Sequence, residues 1–319
     1  MSLAERRYTA ATTRIAGVLL LLLLLLLVRG AVAVMLPTVT RGLTAISAEI
    51  VTELLLAALY ALCCLLPVWA FFHWPCAFPA KPLDLTPALP RHTLGYVFFG
   101  VAVTNAAAFC NAQLVSVFRY SDFSNEVLWQ SEVTANYQLI LMFVSLVLVP
   151  AFFEELLFRG VILSNLLPFG KGTAIVGSAV LFGLMHQDIE QLLYAVAAGA
   201  VLGWIFVRAR SIWPCVLMHF INNFHAFFQT ALLSRAPGAA TERILYLIQG
   251  VLMLLGLVCG VWLFLDKEES KDVQGGAKEC ELSLSRRVRL FFNVPMIIFV
   301  AWCVASMLFL LMMSLAMYV

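Results

Sequence analysis

Charge is scarce in this sequence. Only 12% of its 319 residues are Asp, Glu, Lys or Arg, about half the share in a soluble domain. That scarcity excludes an ordinary water-soluble globule. A disordered chain is excluded too, because 63% of the residues are apolar. Net charge is only +2, so nucleic acid has no basic surface to bind and is not an expected partner. The eight cysteines include no CxxC pair, which removes a disulfide framework and a thiolate zinc site. There is no GxSxG serine elbow and no HExxH helix. Nor do apolar and polar residues alternate over strand-length segments, which sets aside a membrane β-barrel.

What the sequence has instead is long apolar runs. They fall at about 15–36, 50–72, 94–116, 137–167, 172–187, 190–208, 211–233, 244–265 and 294–317, most of them long enough to cross a hydrocarbon core of ~30 Å. The expected fold is all-α, a polytopic helical membrane protein with eight or nine transmembrane helices. The fourth run exceeds a minimal span; the fifth and sixth are short or tilted. Three regions follow: N-terminal helices over 1–136, a polar-marked core over 137–233, and C-terminal helices over 234–319.

Lys and Arg set the expected orientation. Arg6, Arg7, Arg14, Lys81, Arg91, Arg159, Lys171, Arg208 and Arg210 stand on the N-terminal side of the crossings. The segment near 266–291 adds Lys267, Lys271, Lys278, Arg286, Arg287 and Arg289, and reads as a flexible cytoplasmic loop. Only Arg41, Arg119, Arg235 and Arg243 stand opposite. The expectation is a bacterial-type cell membrane protein with its N-terminus in the cytoplasm. Ala31-Val32-Ala33 after a Leu-rich run has the look of a cleavable leader, but Arg29 between run and site argues against one.

An ionisable group inside a span costs at least about 2.5–3.5 kcal/mol and needs a reason. Arg29 and Glu53 lie at similar distances from the turn between the first two helices, and are expected to pair. Asn105, Asn111 and Gln113 are expected to bond across helices, and Gly199 and Gly203 to permit close packing. The core is richer. It reads PAFFEELLFRG, then AVLFGLMHQD, then SIWPCVLMHFINN. Glu155 and Arg159, four residues apart, should pair along one helix face. Glu154 is turned about 100° away, which makes it the candidate free carboxylate facing a cavity. Pro150 removes the bond to the Leu146 carbonyl and opens the helix just before the glutamates. Glu154 and His186 lie 16 residues either side of Gly170, so a helical hairpin brings them to similar depth. His219 and Asn223 share a face at i, i+4. For His219 to join the same site, the fourth helix must tilt or extend beyond the bilayer.

Glutamate with histidine suits base activation of water, and a second His with an Asn suits an oxyanion. Two His and one Glu are also a zinc-ligand set, so zinc is the mechanistic alternative to a cofactor-free site. Taken singly, each group also fits a structural polar network. Two other function classes fit the same residues. One is a non-catalytic immunity or scaffold protein; the other is a proton-relaying transporter, which lacks the repeated halves usual for that class.

EELLFR (Glu154 to Arg159), FGLMH (Phe182 to His186) and HFINN (His219 to Asn223) fit, in order, the EExxxR, FxxxH and HxxxN motifs. In these residues the chain resembles the CAAX-protease and bacteriocin-processing (Abi, Rce-type) family of intramembrane endopeptidases. The resemblance covers about residues 137–233. It implies that Glu154 activates water with the help of His186, that Glu155 and Arg159 brace the site, and that His219 and Asn223 stabilise the oxyanion. It also implies a peptide or membrane-protein substrate, cut at the bilayer. A prenylated CAAX substrate is not implied.

Overall fold

A computed structural model describes residues 1–117, 136–266 and 282–317. Arg119, Lys267, Lys271, Lys278 and Cys280 therefore lie outside the described residues. Those described form ten helices and no strand: α1 (Leu3–Val39), α2 (Ala45–His73), α3 (Thr93–Val117), α4 (Asn136–Phe169), α5 (Lys171–Met185), α6 (Ile189–Ala209), α7 (Trp213–Arg235), α8 (Ala239–Leu265), α9 (Leu284–Phe291) and α10 (Val294–Met317). Seven of them (α1 to α4, α6, α8 and α10) are long and apolar enough to cross a membrane. α5 is apolar but shorter, and α7 carries the polar residues of the third motif. The chain is a polytopic helical integral membrane protein, and every expected span is a helix.

Two boundaries differ from expectation for physical reasons. α1 starts at Leu3, well before its apolar run, because Ser2 and Glu5 close a reciprocal capping box at its N-terminus. The expected loop near 266–291 is not all loop, since α9 occupies its end. Arg286 binds Glu5 at 2.5 Å, and Arg287 donates to the Phe169 carbonyl at 2.7 Å, so this helix is tied to α1 and to the end of α4. At 37 residues, α1 is about 55 Å long, and its first turns lie alongside α9.

α4 and α5 sit between two flanks. α1, α2 and α10 cover one side, with Leu19, Leu22, Phe71, Leu157, Phe158, Met296 and Phe299 in one apolar cluster. α3, α6 and α7 pack on the other, around Tyr96, Val97, Leu202, Ile205 and Met218, with α8 laid along α3. Much of α8 and α10 remains apolar and exposed (Leu254, Leu257, Val258, Phe309), as lipid-facing surface requires. α5 and α6 approach almost backbone to backbone. A Cβ on Gly199 would come within 2.9 Å of the Ala179 Cα, and one on Gly183 within 3.0 Å of the Leu192 carbonyl. The packing role expected of Gly199 is therefore met.

α4 is not a uniform helix. Widened π turns over Val144–Leu148 and Leu156–Leu163 flank the regular segment Val149–Glu155. Pro150, which cannot donate to the preceding turn, stands at the first junction. With 34 residues, α4 is about 51 Å long, and this length lets Glu155 reach His219 only two turns into α7.

Candidate active site

Glu155 is the best-bound side chain of the core. Its Oε1 accepts from Arg159 Nη1 at 2.9 Å and from His219 Nδ1 at 2.8 Å, and all three residues are buried. Arg159 Nη2 donates to the Gly199 carbonyl of α6 at 3.1 Å. The Phe182 ring lies 4.7 Å from the guanidinium carbon and in edge contact with both His186 and His219. Helix periodicity accounts for the Glu155–Arg159 pair, while the His219 bond comes from the way α7 crosses α4. Glu155 Oε2 and Arg159 Nε are buried with no hydrogen-bond partner.

Glu154 points elsewhere. It is 4% exposed, and its Oε1 accepts from the Tyr60 hydroxyl of α2 at 2.5 Å. It is thus a nearly enclosed carboxylate with one donor, where the sequence suggested one open to a cavity. Tyr60 was not legible as a site residue, because no motif or spacing marks it. Arg29 stands 5.5 Å from the Tyr60 ring and donates to the Leu56 carbonyl at 3.1 Å. The expected Arg29–Glu53 ion pair does not form: matching depths along two helices says nothing about their rotation, and Arg29 faces Tyr60 instead.

His186 caps α5, with Nδ1 against the Phe182 carbonyl at 2.8 Å. A ring nitrogen facing a carbonyl must carry the proton, so the neutral ring presents its lone pair at Nε2. The next residue, Gln187, holds a left-handed φ of 53°, and Trp302 donates to its side chain at 3.2 Å. Neither a hydrogen bond nor an ion pair joins Glu154 to His186. Asn223 Nδ2 donates to the Leu146 carbonyl at 3.0 Å, the acceptor that Pro150 leaves without its usual α-helical partner. Its neighbour Asn222 bonds to Tyr194 and accepts from Thr104 at 2.9 Å, a network the sequence reading missed. Of the other polar residues, Asn111 bonds to the Glu190 carbonyl of α6, whereas Asn105 bonds within its own helix at 2.7 Å.

Among the described residues, no three His, Cys, Asp or Glu side chains gather as a metal-binding group. Glu155 Oε1 is taken by Arg159 and His219, whereas His186, bonded through Nδ1 to a carbonyl, keeps Nε2 free.

Glu154, Glu155, Arg159 and His219 are buried, and His186 and Asn223 are partly buried beside them on α5 and α7. Residues 136–225 match the family model described as "Type II CAAX prenyl endopeptidase Rce1-like". The match spans α4, α5, α6 and the first half of α7, and supports the CAAX-protease and bacteriocin-processing (Rce-type) family. A curated relative, "Putative membrane peptidase YdiL" from Bacillus subtilis (strain 168), is 31% identical over 74 residues, which are 22% of this chain and 29% of that protein. The match thus covers less than a third of the relative's length. No solved structure matches the chain.

Proposed function

We propose that the chain is an intramembrane endopeptidase that hydrolyses a peptide bond in a membrane-associated protein or peptide. The observation that carries the reading is the division of labour between adjacent glutamates. Glu155 is held by Arg159 and His219, whereas Glu154 makes one bond, to Tyr60, and keeps Oε2 for a reactant. The Rce-type family match and the membrane peptidase relative support the reaction class.

In this mechanism Glu154 takes a proton from water while His186 Nε2 accepts the water's other hydrogen. The hydroxyl adds to the carbonyl carbon. The amide C–N bond then breaks, and the proton held by Glu154 passes to the leaving amine. The negative charge on the tetrahedral oxygen needs donors. Asn223 has two N–H groups on Nδ2 and uses one on Leu146. His219 donates its Nδ1 proton to Glu155, so it contributes from Nε2 only as an imidazolium.

The test compares membrane proteomes of cells carrying the native chain and Glu154→Gln. The amide retains the shape and still accepts from Tyr60, but cannot take a proton. An uncut precursor is expected to accumulate in the variant, with cleavage slowed by about 10²–10⁴. Identical proteomes would sink the mechanism and favour the second reading, a non-catalytic immunity or scaffold protein, whose support is the near-complete enclosure of Glu154. Running the cleavage assay with EDTA tests the zinc alternative, which predicts that chelation abolishes activity.

A further inference from the structure

A second polar site lies at the C-terminal end of α4, where Asn165, Pro168 and Phe169 are 10 to 14 residues beyond Glu155. Arg7 and Arg14 of α1, Lys81 of the 74–92 connection and Asn165 of α4 line a cavity of about 370 Å³. Its remaining walls are apolar, including Phe71, Phe78 and Phe169, and no carboxylate contributes to the lining.

Arg14 is the unusual member. It is 6% exposed, has no carboxylate partner among the described residues, and its Nε is buried without a hydrogen bond. Its Nη2 makes two long bonds, to the Trp74 and Phe78 carbonyls at 3.3 and 3.4 Å. The Phe71 ring lies 5.1 Å from its guanidinium carbon. A buried, unpaired guanidinium is costly to maintain. Arg7 stacks over Phe78 at 5.8 Å and makes no ion pair among the described residues. Lys81 is fixed in place by its backbone N–H, which donates to Asn165 Oδ1 at 2.8 Å. Of the acids in this region, Glu5 is paired with Arg286, and Asp84 accepts from the Thr86 N–H outside the cavity wall while lying close enough to Lys81 to feel its charge.

We propose that this cavity binds a phosphate group. Three cations line the cavity with no carboxylate in its wall, more charge than the single acid near Lys81 neutralises, and they match the charge and multiple acceptors of a phosphate. The aromatic walls suit an anion joined to hydrocarbon, as in an anionic phospholipid whose headgroup enters at the basic end of the bundle. Free phosphate shares the chemistry and is the other source.

The test uses the full chain in nanodiscs of phosphatidylcholine, with and without phosphatidylglycerol, and in detergent with inorganic phosphate alone. Thermal stability and native mass spectrometry are the readouts. Phosphatidylglycerol should raise the melting temperature and stay bound through desolvation, while phosphatidylcholine does neither. Stabilisation by inorganic phosphate equal to that by the lipid would assign the site to the soluble ion. Lys81→Gln and Arg7→Gln, both near the rim, should each weaken binding roughly fivefold without unfolding the chain. Arg91→Gln, exposed on the same end but outside the cavity, is the control. Equal losses for Arg91→Gln and Lys81→Gln would mean general surface attraction and overturn the site. So would equal binding by the native chain and by the variants.

Discussion

On the side of α4 facing α6 and α7, Glu155 is locked by an arginine, a histidine and, through Arg159, a backbone carbonyl. On the side facing α2, its neighbour Glu154 has one hydroxyl donor. Both are buried, both are carboxylates, and they are consecutive in the chain. What separates them is the rotation of one residue about the helix axis, which presents them to different neighbours. The first environment neutralises a charge permanently and costs a network to maintain. The second holds a carboxylate with capacity left over, as proton transfer demands. Under the proposed mechanism, the acid held by a guanidinium and an imidazole serves the fold, although its Oε2 is left without a partner, and the acid with one hydroxyl donor serves the reaction.

Three substitutions are aimed at that contrast. The largest effect on stability belongs to Arg159→Met. It leaves Glu155 with His219 alone, and the protein should lose about 3–5 kcal/mol, as for breaking a buried pair, measured by unfolding in mixed micelles. A loss under about 1 kcal/mol would mean that Glu155 is not primarily structural, and would erase the contrast.

Next is Tyr60→Phe, which removes the hydroxyl but keeps the ring beneath Arg29. A hydrogen bond to a charged group is worth about 1.5–3 kcal/mol. Stability should fall by about that much, while kcat falls ten- to hundredfold with KM little changed. A rate that falls no further than the loss of folded protein explains would make Tyr60 a packing residue instead.

The smallest is Asn223→Ala. Losing the bond to the Leu146 carbonyl should cost about 1 kcal/mol of stability in the same unfolding measurement. A loss of activity well beyond what that destabilisation explains would add Asn223 to the catalytic side and sharpen the division.

How much of this was readable in advance depended on whether the information was local. The helices followed from apolar runs, although seven of them rather than the expected eight or nine are long and apolar enough to cross a membrane, and the Glu155–Arg159 pair followed from spacing within one helix. Pro150 foretold the opening of α4 for the same reason. Tyr60 was invisible because its importance comes from how α2 is rotated against α4, which no single segment encodes. The Arg29–Glu53 expectation failed on the same point. Asn223 was recognised, but its attachment to Leu146 needed two helices at once. α9 was missed because its stability rests on Glu5 and Phe169, far away in the sequence.

The glycine contacts between α5 and α6 bear on motion. Where Gly183 and Gly199 let two backbones interlock, there is no slack for the helices to part, and this hairpin acts as a fixed wall. α2 and α7, by contrast, reach the middle of α4 through individual side-chain bonds from Tyr60, His219 and Asn223. Bonds of that kind can break and re-form singly. If a peptide reaches Glu154 as proposed, those seams are where it would enter, and a disulfide engineered across one of them, away from Tyr60, His219 and Asn223, would block it.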